Sequence, residues 1–348
     1  MAERKPCVAL VLGGGAARGW AHIGVIEALA EHGIEPDMVV GTSVGAVVGG
    51  ALASGQLPAF RDWITTLRRR DILRLLDARL SGGGLLSGAV LMGAIERVVG
   101  NTTIAELAMP FACVATELGS GREIWLREGE LMAACRASIS LPGLFAPVPY
   151  RGNFLVDGGL VNPVPVSLAR AMGADIVIAV DLNGHLRGEH FWARNGNGNG
   201  RKSRGAVSHK VVEPSPRLVE ADIAAAEPDS VVAAAGEESE GALHQGLTTR
   251  LMNGLSFDLS SRLSSLWGSN HTSLPGLLDV IVGSIDIMQD RITRSRMAGD
   301  PPDLHLVPRL SHIALMDFDR AAECIPEGRH AVERQAEEVE RLAAMLAG

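Results

Sequence analysis

Met38-Val39-Val40-Gly41-Thr42-Ser43-Val44-Gly45-Ala46-Val47-Val48-Gly49-Gly50-Ala51-Leu52-Ala53 reads as an apolar strand, a tight turn and a helix in immediate succession. The turn is Gly41-Thr42-Ser43-Val44-Gly45, a Gly-x-Ser-x-Gly pentapeptide whose two glycines let the backbone crowd close while Ser43 projects its hydroxyl. Upstream, Cys7-Val8-Ala9-Leu10-Val11-Leu12 reads as a buried strand, followed by a glycine turn and an amphipathic helix from about Trp20 to His32. Two strand-loop-helix units in a row predict a mainly parallel sheet with crossover helices, and ligands of such sheets bind beyond the carboxyl ends of the strands. Both glycine-rich loops are therefore expected on one crevice.

The alternation continues to about Asp181. Leu57 to Val99 reads as helical, broken at Ser81-Gly82-Gly83-Gly84, and could cap the crevice. Phe111 to Thr116 and Glu123 to Leu126 read as a strand pair, and Gly129 to about Ser138 as a helix. Asn153 to Val156 and Asp175 to Val180 are strands around a helix from Pro163 to Gly173. Residues 184 to 270 break the pattern with Asn195-Gly196-Asn197-Gly198-Asn199-Gly200 and an acidic, alanine-rich stretch, and are expected to be a flexible low-complexity insertion. Within it, Leu251 to Trp267 has leucines at helical spacing, open to two outcomes: packing back on the domain or docking on a lipid surface. Residues 271 to 348 are expected to complete the same domain as residues 1 to 183, with a long helix (Leu274 to Met297), a strand (Leu304 to Val307) and a closing helix from about Gly328 to Leu346.

Composition narrows the function. With 348 residues, 47% of them apolar, the chain can bury a large core, and its formal charge of −8 offers no footprint for nucleic acid. The four cysteines (Cys7, Cys113, Cys135, Cys324) have no paired spacing, so buried free thiols are expected and no metal site is suggested. The apolar run Cys7 to Leu12 is too short for a signal peptide, and none spans a bilayer; a cytoplasmic protein is expected, with peripheral membrane contact at most.

A nucleophilic Ser43 needs a base and donors for an oxyanion. Gly13-Gly14-Gly15-Ala16-Ala17-Arg18-Gly19 offers unobstructed N–H groups ahead of a helix, with Arg18 anchoring the turn or an anion. It lacks the Gly-Lys-Ser/Thr ending of a phosphate loop, and a dinucleotide fingerprint counted from Gly13 would put Arg18 where a small residue belongs. Of ten histidines, His305, His312 and His330 come late enough to serve as a base by ordinary chain order, yet their settings suggest core or surface, and His22 suggests a structural hydrogen bond. Leu155-Val156-Asp157-Gly158-Gly159 instead places an acid at the end of an apolar strand, with two glycines allowing close backbone approach. By itself it is equally a strand-ending turn.

Gly13 to Gly19, Gly41 to Gly45, Ala137-Ser138 through Pro142 to Phe145 and Pro147, and Asp157-Gly158-Gly159 stand in an order and spacing that resembles the patatin-like phospholipase family, specifically its small bacterial members. The likeness spans about residues 7 to 183, and Pro302 to Gly328, with Asp317-Phe318, is similar to the ending of those proteins. The resemblance implies a three-layer α/β/α sandwich. It also implies a Ser-Asp dyad with Ser43 as nucleophile, Asp157 as base and the loop of Gly13, Gly14, Gly15 and Arg18 as oxyanion hole. The substrate it implies is phospholipid, lysophospholipid or another acyl ester, with no cofactor. Two readings from other classes are a nucleotide-binding α/β protein and a non-enzymatic, membrane-binding regulator on the same fold.

Overall fold

A computed structural model describes residues 4–75, 84–185 and 277–347. The first strand, β1 (Val8–Leu12), lies between β2 (Met38–Thr42) and β9 (Ile176–Val180), and β10 (Leu304–Leu306) extends the sheet beyond β9, all of these pairs parallel. On the other side β2 pairs in parallel with β4 (Phe111–Glu117). The sheet then turns antiparallel, with β5 (Glu123–Leu126) and β8 (Asn153–Asp157) on β4, and β7 (Val148–Tyr150) on β8.

The β4 register positions the site. β5 occupies one edge of β4 from Cys113 to Thr116, so β2 and β8 must share the other edge. They meet there end to end: Thr42, the last residue of β2, pairs with Val114, and Asp157, the last residue of β8, pairs with the adjacent Ala115. The turn after β2 and the acid at the end of β8 are thus brought together by backbone pairing alone.

Strand side chains alternate between two apolar layers, as a sheet covered on both faces requires. Val8, Leu10 and Leu12 of β1 pack with α1 (Ala21–Glu31), α2 (Val44–Ala53), α3 (Leu57–Thr66), α5 (Ala89–Val99) and α6 (Leu131–Ser138), following the short α4 (Arg69–Leu75). Ala9 and Val11 face the opposite layer, with Val166, Leu168 and Ala169 of α7 (Val166–Ala171). The long α8 (Leu277–Gly299) reaches that layer through Met297. This is the expected three-layer α/β/α sandwich, and each fully buried Leu or Ile contributes about 1.5–3 kcal/mol.

Some elements differ from expectation. The helix after β1 opens with a 3-10 turn, Ala16–Trp20. Gly84–Leu86 and Gly143–Phe145 pair as a separate two-stranded sheet (β3 and β6), and β7 is an added strand. The closing helix is two helices, α9 (Ala321–Glu333) and α10 (Ala336–Ala347), and α9 begins before Pro326. Its buried Ala321, Cys324 and Ile325 supply an apolar face that the proline suggests is absent. α9 crosses α1 so closely that a side-chain carbon on Gly24 or Gly328 would meet the other helix's backbone. The expected insertion at 184–270, with its 251–267 helix, lies outside the described residues apart from its first two.

Candidate active site

Ser43 adopts φ 56° and ψ −125°, a conformation costly for any residue with a side chain. Glycine is demanded on both sides by space. A side-chain carbon on Gly45 would strike the Leu12 carbonyl, and one on Gly41 would meet the Gly45 backbone. The Ser43 N–H donates to Ser138 Oγ at 2.8 Å, and the Ser138 hydroxyl donates in turn to the Val114 carbonyl at 2.7 Å. Ser138 therefore ties the strained residue to β4.

Ser43 Oγ donates to Asp157 Oδ2 at 2.7 Å, and Asp157 Oδ1 accepts from the Gly159 N–H at 2.7 Å. The acid's backbone is fixed as well: its N–H donates to the Ser140 carbonyl, and its carbonyl accepts from Thr116 Oγ1. Gly158 lies flat against β4, where any side-chain carbon would collide with the Val114 carbonyl. Asp157 is 1% exposed. Burial pushes its carboxyl up to about 6, against the downward pull of the Ser43 and Gly159 hydrogen bonds. It is thus ionised at neutral pH yet close enough to titration to accept a proton.

In the glycine loop the amides separate into two groups. Gly13 N–H donates to the Val180 carbonyl, Gly14 N–H to the Pro163 carbonyl, and Arg18 N–H to the Gly15 carbonyl. The expected donors Gly13, Gly14 and Arg18 are therefore already engaged, because neighbouring strand and loop carbonyls lie within reach. Among the described residues no acceptor meets the Gly15 or Ala16 N–H, and both residues line the cleft that holds Ser43 and Asp157. His22 supports the loop from beneath: its Nε2 donates to the Gly13 carbonyl at 2.8 Å, and burial lowers its pKa to about 4, so the ring is neutral.

The cleft encloses about 1020 Å³ of empty space, part of it open to solvent. Its walls are apolar: Trp63 of α3 and Leu67 just after it, Ile72 and Leu75 of α4, Leu91 and Ile95 of α5, and Leu141, Leu144 and Phe145. Ile285, Asp286 and Gln289 of α8 close one side.

The sequence pattern of the Patatin-like phospholipase family matches residues 10–170. The chain is 37% identical over 334 residues to an uncharacterized NTE family protein of Mycobacterium tuberculosis (strain ATCC 25618 / H37Rv), covering 93% of this chain and 90% of that one. This chain belongs to the patatin-like phospholipase family. Over 183 residues, half of this chain and 13% of the relative, it is also 36% identical to patatin-like phospholipase domain-containing protein 6 of Homo sapiens.

None of the histidines singled out in the sequence lines the cleft. His305 lies 3.6 Å from Asp181, His312 3.7 Å from Glu323, and His330 3.7 Å from Glu327. Cys113, Cys135 and Cys324 are buried free thiols, as expected, and Cys7 is half-buried. Sequence reasoning assigned no role to Ser138, Asp286 or Gln289, and marked Ala16 only as one amide of the glycine loop. Ser138 stood within a recognised block, whereas nothing near Asp286 or Gln289 in the chain marks them.

Proposed function

We propose that the protein is a serine lipid acyl hydrolase of the phospholipase A or lysophospholipase type, working through a dyad of Ser43 and Asp157. The observation that carries this reading is the 2.7 Å hydrogen bond from Ser43 Oγ to a buried carboxylate, both residues lining an apolar cleft. Asp157 accepts the hydroxyl proton as Ser43 Oγ attacks an ester carbonyl. The Gly15 and Ala16 N–H groups receive the oxyanion, and collapse of the intermediate passes the proton to the departing alcohol. Asp157 then takes a proton from water, whose oxygen attacks the acyl-serine, and returns that proton to Ser43 Oγ as the acid departs. The apolar walls suit an acyl chain. They do not suit a nucleotide, since Asp157 and Asp286 face the space a phosphate would enter and, among the described residues, no lysine lines it. Among the described residues no helix is long and apolar enough to cross a membrane.

Acyl-ester profiling with purified protein tests the substrate class. Each methylene that enters the cleft is worth up to about 0.8 kcal/mol, about fourfold, so kcat/KM is expected to climb with chain length across a p-nitrophenyl ester series. A flat or falling series, blanked with Ser43→Ala, counts against a lipid substrate.

The pH dependence follows from the base. Asp157 works only when ionised, and its carboxyl is raised to about 6. The expected kcat/KM profile therefore rises from acid pH with a half-maximum near 6 and is level above about 7. Full activity persisting at pH 4.5 would show that another group accepts the proton.

A further inference from the structure

Arg18 is among the largest fully buried side chains of the protein, 1% exposed. A buried guanidinium persists only where its charge and its donors are matched. Its Nε donates to the Gly15 carbonyl at 3.1 Å, beside the Arg18 backbone N–H, which donates to the same oxygen at 3.2 Å, and its Nη2 donates to Asp286 Oδ1 at 3.0 Å. Asp286 stands on α8, more than 260 residues further along the chain, and its carboxylate lines the cleft. The arginine thus links the glycine loop to a helix far outside the sequence motifs that mark the site.

The link matters because of which peptide it grips. The Gly15 carbonyl and the Ala16 N–H belong to one planar trans peptide and so point in opposite directions. Holding the carbonyl against Arg18 aims the Ala16 N–H away from it, as an open donor. Ala16 sits at φ 49°, a left-handed conformation that its side chain disfavours. A flip of the Gly15–Ala16 peptide would relieve that strain and turn the donor away. The loop holds its active form only while something retains the carbonyl.

We infer that Asp286 is a positioning residue for the oxyanion loop: it fixes the Arg18 guanidinium, which holds the Gly15 carbonyl and thereby aims the Ala16 N–H toward Ser43. α8 is anchored beside this contact by Gln289, whose Oε1 accepts from Asn183 Nδ2 at 3.0 Å. Without Asp286 the arginine loses its counter-charge and turns toward solvent in the cleft. This inference rests on the acyl-hydrolase reading above.

The test is a double-mutant cycle on the full chain with a p-nitrophenyl ester. Asp286→Asn is expected to lower kcat by about a hundredfold, the order of a lost oxyanion donor, with KM within threefold and fluorophosphonate labelling slowed in parallel. Arg18→Lys keeps a positive charge but cannot fork to both partners, and is expected to lose the same factor. The double variant should be no slower than either single one, because both break one link. Should Asp286→Asn fail to fold, Arg18→Lys carries the kcat measurement alone. A kcat within threefold of the parent in a folded variant overturns the inference, as do a loss confined to KM or multiplicative losses in the double variant. The parent assay separates the two levels: if Ser43→Ala hydrolyses the ester as well as the parent, the acyl-hydrolase reading itself fails, whatever Asp286 does.

Discussion

Ser43→Ala is expected to lower kcat for acyl-ester hydrolysis by about four orders of magnitude or more and to abolish labelling by a fluorophosphonate. Among the described residues no buried thiol stands ready to replace it. The thiols of Cys135 and Cys324 are held up at about 12 by burial, and burial raises that of Cys113 as well, so none is a thiolate at neutral pH. The change is small for the fold. Alanine keeps the Cβ, the strained backbone and the N–H that Ser138 accepts from, and removes one hydrogen bond, that to Asp157. Thermal melting should move by a few degrees at most, so loss of activity reports chemistry. Mass spectrometry of the labelled parent should place the adduct on Ser43. Undiminished hydrolysis by a folded Ser43→Ala protein would remove the serine from the mechanism.

The parts of this site legible in the sequence are those that short-range sterics dictate. Gly41 and Gly45 announce an elbow because the strand and helix they join leave no room for side chains, a constraint contained in five residues. Asp157 was readable as an acid ending an apolar strand, but its meeting with Ser43 depends on β2 and β8 sharing one edge of β4, a non-local register that periodicity does not encode. The glycine loop shows the same limit. Its composition nominates every amide, yet the carbonyls of Val180 and Pro163, far along the chain, decide that Gly13 and Gly14 are engaged while Gly15 and Ala16 stay open. β3, β6 and β7 are three residues each, shorter than the alternation that would reveal a strand. Asp286 is one of several acids on an amphipathic helix, and only the buried Arg18 beneath it gives it a role.

Asp157→Asn separates activity from stability. The folded carboxyl titrates at about 6 against an ordinary 3.8, so the fold favours its protonated form. Stability from this group is therefore fully present below about 3.8, declines as pH rises through about 6, and is lost above it. The difference corresponds to about 3 kcal/mol, the cost of keeping a buried carboxylate ionised at the pH where it serves as a base. Asparagine is neutral throughout and fits the same bonds: its carbonyl can accept from the Gly159 N–H, and its amide can donate to Ser43 Oγ. The variant is expected to melt several degrees above the parent at pH 8, with the gap closing as pH falls from 6 towards 4. Its kcat should drop at least about a thousandfold, since an amide cannot take the serine proton. Melting curves and ester hydrolysis across pH 4 to 8 measure both effects on one pair of proteins. Equal melting temperatures at pH 8 would show that Asp157 carries no such burden, and retained hydrolysis would remove it as the base. A stable, inactive variant would mark the buried carboxylate as a place where the protein gives up stability for chemistry.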